Sequence, residues 1–314
     1  MAPPTDPGFL APPGEVTDWR LVVLVDAAAG AGVLDALPGT PEGLAAPLGL
    51  DAHGLRVVLD ALVAWGVVER RGDGAYAVGP HAPGPGRLPG LRHHARAIGA
   101  WSGQIDDRLR GAGGSPARQA PPDPELFIDA LGAQARLTAP ALVERCLARF
   151  PGAETVLDLG GGHGEYSLEF ARRGLRATLQ DLPTMIDIVA RRGRLAEAGV
   201  DLYAGSFFES VPQGPFDLAF CTGITHTFDG DHNLDLFRRL RPVVSPRGGV
   251  AVTTFLRHRH PLADVFAVQM LVNGHGGDTH TEDEYRTWLA AAGFRVDDAP
   301  VDLPDRPQSV LFAT

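Results

Sequence analysis

Few residues in this chain are equipped for chemistry, and their spacing is uneven. Asp158 is followed by glycines at 160, 162 and 164. Asp181 stands 21 positions beyond Gly160. His226 sits in Ile224-Thr225-His226-Thr227-Phe228-Asp229, and His275 and His280 follow in a glycine-rich stretch. Every basic residue is arginine, so lysine is absent as Schiff base or amine base. The two cysteines, Cys146 and Cys221, lie in unrelated contexts. They form neither a disulfide framework nor a zinc pattern, and they fit a reducing cytoplasm.

Thr155 to Leu159 is aliphatic and β-branched with a carboxylate near its end, which predicts a short buried strand. Glycines crowd the turn after it, and from Gly164 the pattern becomes helical. Such a turn lets backbone approach a nucleotide-like ligand closely, because no Cβ intervenes. A dinucleotide fingerprint needs its third glycine five positions after the first, and here that position is Glu165. The spacing is D-x-G-x-G-x-G instead. An acid closing the second strand, as Asp181 does, suits hydrogen bonds from ribose hydroxyls.

The elements that must position these residues follow in order. Met1 to Val16 reads as loosely draped, and Thr17 or Asp18 as the cap of a helix reaching about Ala29. Helices are expected from Thr40-Pro41-Glu42 and from Asp51, followed by a hairpin around Gly72-Asp73-Gly74. That order predicts a winged-helix unit. A Pro/Gly linker, Gly79–Gly90, leads to a helix over Leu91–Arg110, a loop over Gly111–Pro124, and a long helix over Glu125–Phe150 that Pro140 kinks or splits. Strands are then expected at Thr155–Leu159, Arg176–Gln180, Asp201–Ala204, Phe216–Cys221 and Gly249–Phe255, with a last pair near Phe294–Val296 and Ser309–Phe312. Helices over Gly164–Arg173, Leu182–Ala198 and Asn233–Arg241 alternate with them, which specifies a mostly parallel, doubly covered α/β sheet. The expected division is 1–90 for the winged-helix unit and linker, 91–150 for connecting helices lining an acceptor pocket, and 151–314 for the catalytic domain.

Charge excludes some uses. The net charge is −10, and the helix that would enter a DNA groove, Asp51 to Trp65, has one arginine against two aspartates. Phosphate contacts demand the opposite balance, so a nucleotide-sensing, DNA-binding regulator is disfavoured and dimerisation is the better use of the first unit. No nucleic-acid partner is expected. The most apolar run, Leu21–Leu37, contains Asp26 and reads as a buried helix, so no membrane partner is expected either. No signal peptide is visible.

The turn Asp158-Leu159-Gly160-Gly161-Gly162-His163-Gly164 resembles motif I of the Rossmann-like class I methyltransferases that bind S-adenosylmethionine. Gln180-Asp181-Leu182-Pro183 and the run from Gln269-Met270-Leu271 to Ala292-Gly293-Phe294 resemble the small-molecule O-methyltransferase family of the caffeic acid type and its bacterial secondary-metabolism relatives. The resemblance implies a homodimer and a cofactor site at Asp158, Gly160, Gly162, Asp181 and Leu182, continued by Ser206, Phe207 and Thr222. It places Trp101, Arg136 and Met270 at a small-molecule acceptor and His226 as the general base. An unperturbed imidazole titrates near about 6.5 and can serve as a base at neutrality. Ser206 stands where the family usually has aspartate.

The departures from the family carry information. Plant members support the histidine with two glutamates, and the matching positions are Thr253 or Thr254 and Thr279. A second expectation therefore keeps the scaffold and changes the acceptor: His226 with His280 or His275 holds a divalent or ferric metal ion for C-methylation of an α-keto acid, as in some bacterial relatives. Arg136 would then meet the acid's carboxylate bidentately.

Overall fold

The computed structural model describes residues 19–111, 121–273, 276–303 and 306–314. Met1–Val16, the expected caps Thr17 and Asp18, most of the Gly111–Pro124 loop, and His275 lie outside them. The chain divides into two compact units, with the boundary after Ala100.

The first unit begins with α1 (Trp19–Gly30), α2 (Val33–Ala36), α3 (Pro41–Leu48) and α4 (Ala52–Ala64). Thr40 caps α3 by accepting from the Gly43 N–H at 3.1 Å, and Asp51 caps α4 by accepting from the Gly54 N–H at 2.6 Å. The hairpin is present: β1 (Val68–Arg70) pairs antiparallel with β2 (Tyr76–Val78). Among the described residues four helices precede it where three were expected. The addition is α2, entered through Gly32 at φ 73°. Leu21, Val25, Leu55, Leu59, Leu62 and Tyr76 form one apolar core, and the Tyr76 hydroxyl donates to Asp60 at 2.5 Å. α5 (Leu88–Leu109) continues past the unit boundary.

The second unit holds α6 (Pro124–Arg149), β3 (Thr155–Leu159), α7 (Glu165–Arg172), β4 (Arg176–Asp181), α8 (Pro183–Arg191), α9 (Arg194–Glu197), β5 (Asp201–Ala204), β6 (Phe216–Thr222), α10 (Gly230–Leu240), β7 (Val244–Thr254), α11 (Pro261–Asn273), α12 (Glu282–Ala291), β8 (Val301–Asp302) and β9 (Ser309–Ala313). Strand order is β5-β4-β3-β6-β7-β9-β8, parallel from β5 through β7, with β9 antiparallel to both neighbours. Successive residues serve opposite faces of the sheet. Val156, Leu218, Phe220 and Ala251 pack with residues of α6, α7 and α8, whereas Leu157, Ala219, Cys221 and Val252 pack with α10 and α12. Burial on both faces explains why these strands read as continuous apolar runs.

Three expectations change here. Pro140 does not split α6, because buried Ala139, Leu142 and Val143 on either side of it hold the helix in the core. The Leu182–Ala198 helix breaks at Gly193, φ 75°, into α8 and α9. Phe294–Val296 forms only an isolated bridge, Val296 to Ala313, while Val301–Asp302 supplies the edge strand.

Candidate active site

Strand order reverses between β3 and β6: β4 lies on one side of β3 and β6 on the other. A crevice outside the carboxyl ends of the strands is the expected ligand position in such a sheet. The glycine turn opens there. Gly160 has φ 63°, and a Cβ on it would lie 2.4 Å from Ile224 Cγ2, so only glycine fits. The Gly162 N–H donates to Asp181 Oδ2 at 2.8 Å, and the Leu182 N–H donates to Asp181 Oδ1 at 2.7 Å. A carboxylate offers about four lone-pair sites, so Asp181 retains capacity for a diol. Burial raises the Asp181 pKa, with the two backbone donors opposing.

Asp158 stands near the carboxyl end of β3. It is buried, and its Oδ2 accepts from the Ser167 hydroxyl at 2.6 Å. The absent Cβ of Gly161 would sit 2.8 Å from its Cγ. The carboxyl group therefore braces the underside of the turn against α7. Burial holds its pKa up at about 7, against the pull of the Ser167 bond.

Ser206 Oγ accepts from the Phe208 N–H at 3.3 Å. Phe207 packs edge-on against Phe228, ring centroids 5.7 Å apart, within the core on the α10 side. Phe208 lies against the same ring at 5.0 Å. Thr222 closes β6, and its buried hydroxyl has no hydrogen-bond partner.

His226 lies in a short turn after β6 and is 7% exposed. Phe266 of α11 meets its ring edge-on at 4.8 Å and stacks on Phe255 at 4.1 Å. Gly223, whose N–H donates to Thr253 O at 3.1 Å, passes beneath the imidazole. Gly277 packs on the His226 carbonyl, where a Cβ would come within 2.5 Å of the oxygen. The imidazole Nδ1 has no hydrogen-bond partner. Burial, reinforced by nearby His280, pulls its pKa down to about 3, so the ring is neutral across the physiological range.

The remaining candidates separate. Trp101 donates its indole N–H to Gln269 on α11 at 2.5 Å, and Met270 beside it is buried. Arg136 does not turn to His226: its Nε donates to Glu165 at 3.0 Å, and Arg194 holds the same carboxylate at 2.7 Å. These three charged residues line a cavity together with Ile128, His163 and Leu195. His280 Nε2 lies 2.7 Å from Phe228 O and thus donates to a carbonyl. Among the described residues no three His, Cys, Asp or Glu side chains converge as a metal site, and His275 lies outside those residues.

Sequence reasoning did not anticipate Phe255, Phe266 or Gln269. An apolar helix such as α11 carries no mark of which face meets an imidazole. Thr253 and Thr279 were legible only as missing carboxylates, although both hydroxyls are buried and lack partners.

A parallel sheet of this order, with a glycine turn and an acid at neighbouring strand tips, defines a class I methyltransferase, whose methyl donor is S-adenosylmethionine. Residues 112–295 match the O-methyltransferase domain family, and the chain belongs to that family. It is 32% identical over 296 residues to a 3-amino-4-hydroxybenzoate 4-O-methyltransferase of Streptomyces cremeus, covering 87% of this chain and 79% of that protein. A mitomycin biosynthesis 6-O-methyltransferase of Streptomyces lavendulae is 30% identical over 178 residues, 55% of this chain and 50% of that protein. The solved structure of a mitomycin 7-O-methyltransferase shares the fold with a TM-score of 0.76 at 24% identity, covering 94% of each chain.

Proposed function

We propose that this chain O-methylates a small aromatic secondary metabolite, with His226 receiving the proton of the acceptor hydroxyl. The observation that carries the reading is the neutral, partner-free imidazole walled by Phe255 and Phe266 at the carboxyl edge of β6. Flat apolar walls suit an aromatic acceptor. The names of the relatives, which methylate hydroxyls on aromatic metabolites, support the same class.

When bound, S-adenosylmethionine supplies an electrophilic methyl group on a sulfonium. In this reading Asp181 accepts from its ribose hydroxyls, while Gly160 and Gly162 admit its backbone-facing side. Leu182, Ser206 and Thr222 complete the wall, Phe207 supports it from the core, and Asp158 keeps the turn in shape. Trp101 and Met270, linked through α11, border the acceptor. The acceptor O–H proton passes to His226 as its oxygen takes the methyl group, and the imidazolium then releases that proton to solvent. Holding the reactants in line can contribute about 7–11 kcal/mol.

The first unit is read as a winged-helix dimerisation module. Exposed apolar Trp19, Val23 and Val57 support a homodimer, and the free, buried Cys146 and Cys221 support a reducing cytoplasm. Among the described residues no helix is long and apolar enough to cross a membrane.

Mass spectrometry tests the reaction: incubation with S-adenosylmethionine and 3-amino-4-hydroxybenzoate or related phenols should yield S-adenosylhomocysteine and a methyl ether. His226→Gln should lower kcat by about 10²–10⁴-fold while S-adenosylhomocysteine still binds. Full activity in that variant would remove His226 from its role.

A further inference from the structure

His226 stands in a three-residue helical turn, Thr225–Thr227, between β6 and α10. A turn this short makes few hydrogen bonds of its own. Three carbonyls in and beside it nevertheless accept twice each. Ile224 O takes the Thr227 N–H at 2.9 Å and the Thr227 hydroxyl at 2.6 Å. Thr225 O takes the Phe228 N–H at 3.3 Å and the Asn233 side-chain N–H at 2.9 Å. Phe228 O takes the Asn233 amide at 3.2 Å and His280 Nε2 at 2.7 Å. The Thr225 hydroxyl accepts from the Tyr285 hydroxyl at 2.8 Å, which also lies 3.2 Å from the Thr254 hydroxyl of β7.

The side-chain donors reach the turn from separate elements. Asn233 is on α10, Tyr285 on α12, and His280 on the segment leading into α12. All three are buried. Asn233 gives N–H groups to two carbonyls, while its buried Oδ1 has no partner among the described residues. An unpaired buried acceptor destabilises the fold, and its retention points to a role in the turn beyond stability. The imidazole itself has no such anchor. His226 Nδ1 is buried and without a partner among the described residues, and the ring packs against Phe255 and Phe266. A histidine that moves protons is ordinarily oriented by a hydrogen bond to its second nitrogen.

We propose that Asn233, Tyr285 and His280 are positioning residues, which orient His226 through the backbone of its turn in place of a group bonded to the imidazole. The inference rests on the reading of His226 as the base of O-methylation and adds the residues that aim its ring. Side-chain direction follows from backbone position and rotamer together. Packing against two flat rings limits how the imidazole tilts, and the clamped backbone fixes where it starts from. His280 Nε2 must carry its proton to donate to a carbonyl, so its part is that of a donor to the backbone. The geometry of the reacting groups is steep: a misplacement of about 1 Å can cost about 10²-fold in rate.

Histidine ring-carbon NMR spectra of the full chain test this, with signals assigned by His226→Gln and His163→Gln. His226 should give one narrow resonance in the wild type. Asn233→Ala and Tyr285→Phe should broaden or split it, while the resonance of His163 in the glycine turn stays in place. Tyr285→Phe removes one hydroxyl group and decides the matter should Asn233→Ala fail to fold. With S-adenosylmethionine and 3-amino-4-hydroxybenzoate, Asn233→Ala should lower kcat by about 10- to 100-fold, with KM and S-adenosylhomocysteine affinity changed by less than about twofold. In a His226→Gln background the same substitution should have little further effect on kcat, because its contribution passes through the imidazole. Where that phenol is not turned over, the spectra alone decide. An unchanged His226 resonance in both variants, broadening shared equally by His163, a loss confined to KM, or the same kcat loss in both backgrounds would overturn the inference and leave His226 as the base. A His226→Gln variant as active as wild type would overturn both.

Discussion

The Gly162 N–H donates to Asp181 Oδ2 at 2.8 Å, so the tip of β4 is tied to the glycine turn after β3. One carboxylate thus shapes the turn and borders the crevice where a ribose belongs. The tie spans 19 positions of sequence yet joins adjacent strands, because β4 pairs in parallel with β3.

Asp181→Ala should remove both roles. Donor affinity is expected to fall by roughly 1.5–3 kcal/mol, about ten- to hundredfold in Kd, since the lost bonds involve a charged group. Calorimetry with S-adenosylhomocysteine measures this directly. A change under about twofold would show that the acid does not meet the cofactor.

Gly160→Ala should damage stability and the acceptor side together. The new methyl group would meet Ile224 Cγ2 at 2.4 Å, and Ile224 lies two positions before His226. Overpacking and a positive φ together predict a loss of roughly 1–3 kcal/mol in chemical denaturation, with a lower kcat. Adding Ile224→Ala should recover the overpacking share but not the backbone share.

Asp158 should make stability depend on pH in a direction opposite to most carboxylates. Its pKa is raised from 3.8 to about 7 in the folded chain by burial. Between those values the folded state holds a proton that the unfolded state has released. Its contribution is therefore fully present below pH 3.8 and is lost as pH rises through about 7. Asp158→Asn keeps an acceptor for Ser167 and cannot ionise. Relative to wild type it should be near neutral at pH about 4 and stabilising at pH about 8, by up to about 4 kcal/mol. Paired thermal denaturation at the two pH values measures the difference, and an equal offset at both would refute it.

How much of this was readable beforehand follows from the range of each interaction. The D-x-G-x-G-x-G turn, the caps at Thr40 and Asp51 and the strand–helix alternation are local. Backbone conformation and side-chain period within a few residues decide them, so they could be read directly. Boundaries moved where distant packing outweighed local preference. Pro140 is carried through α6 by its buried neighbours, and Phe294–Val296 yields to Val301–Asp302 as a strand. The candidate His226 was legible as a histidine after the fourth parallel strand. Its surroundings were not.

The amino-acid order alone determined a parallel sheet, a glycine cradle with an acid at each of two strand ends, and an imidazole beyond the fourth parallel strand, because these depend on residue type at short spacing. Only the tertiary structure decided that Asp158 accepts from Ser167, that Arg136 is committed to Glu165, and that Phe255 and Phe266 meet the His226 ring. Those outcomes depend on which of several polar or apolar partners, distant in sequence, packing brings within contact range, and no short-range pattern encodes that choice.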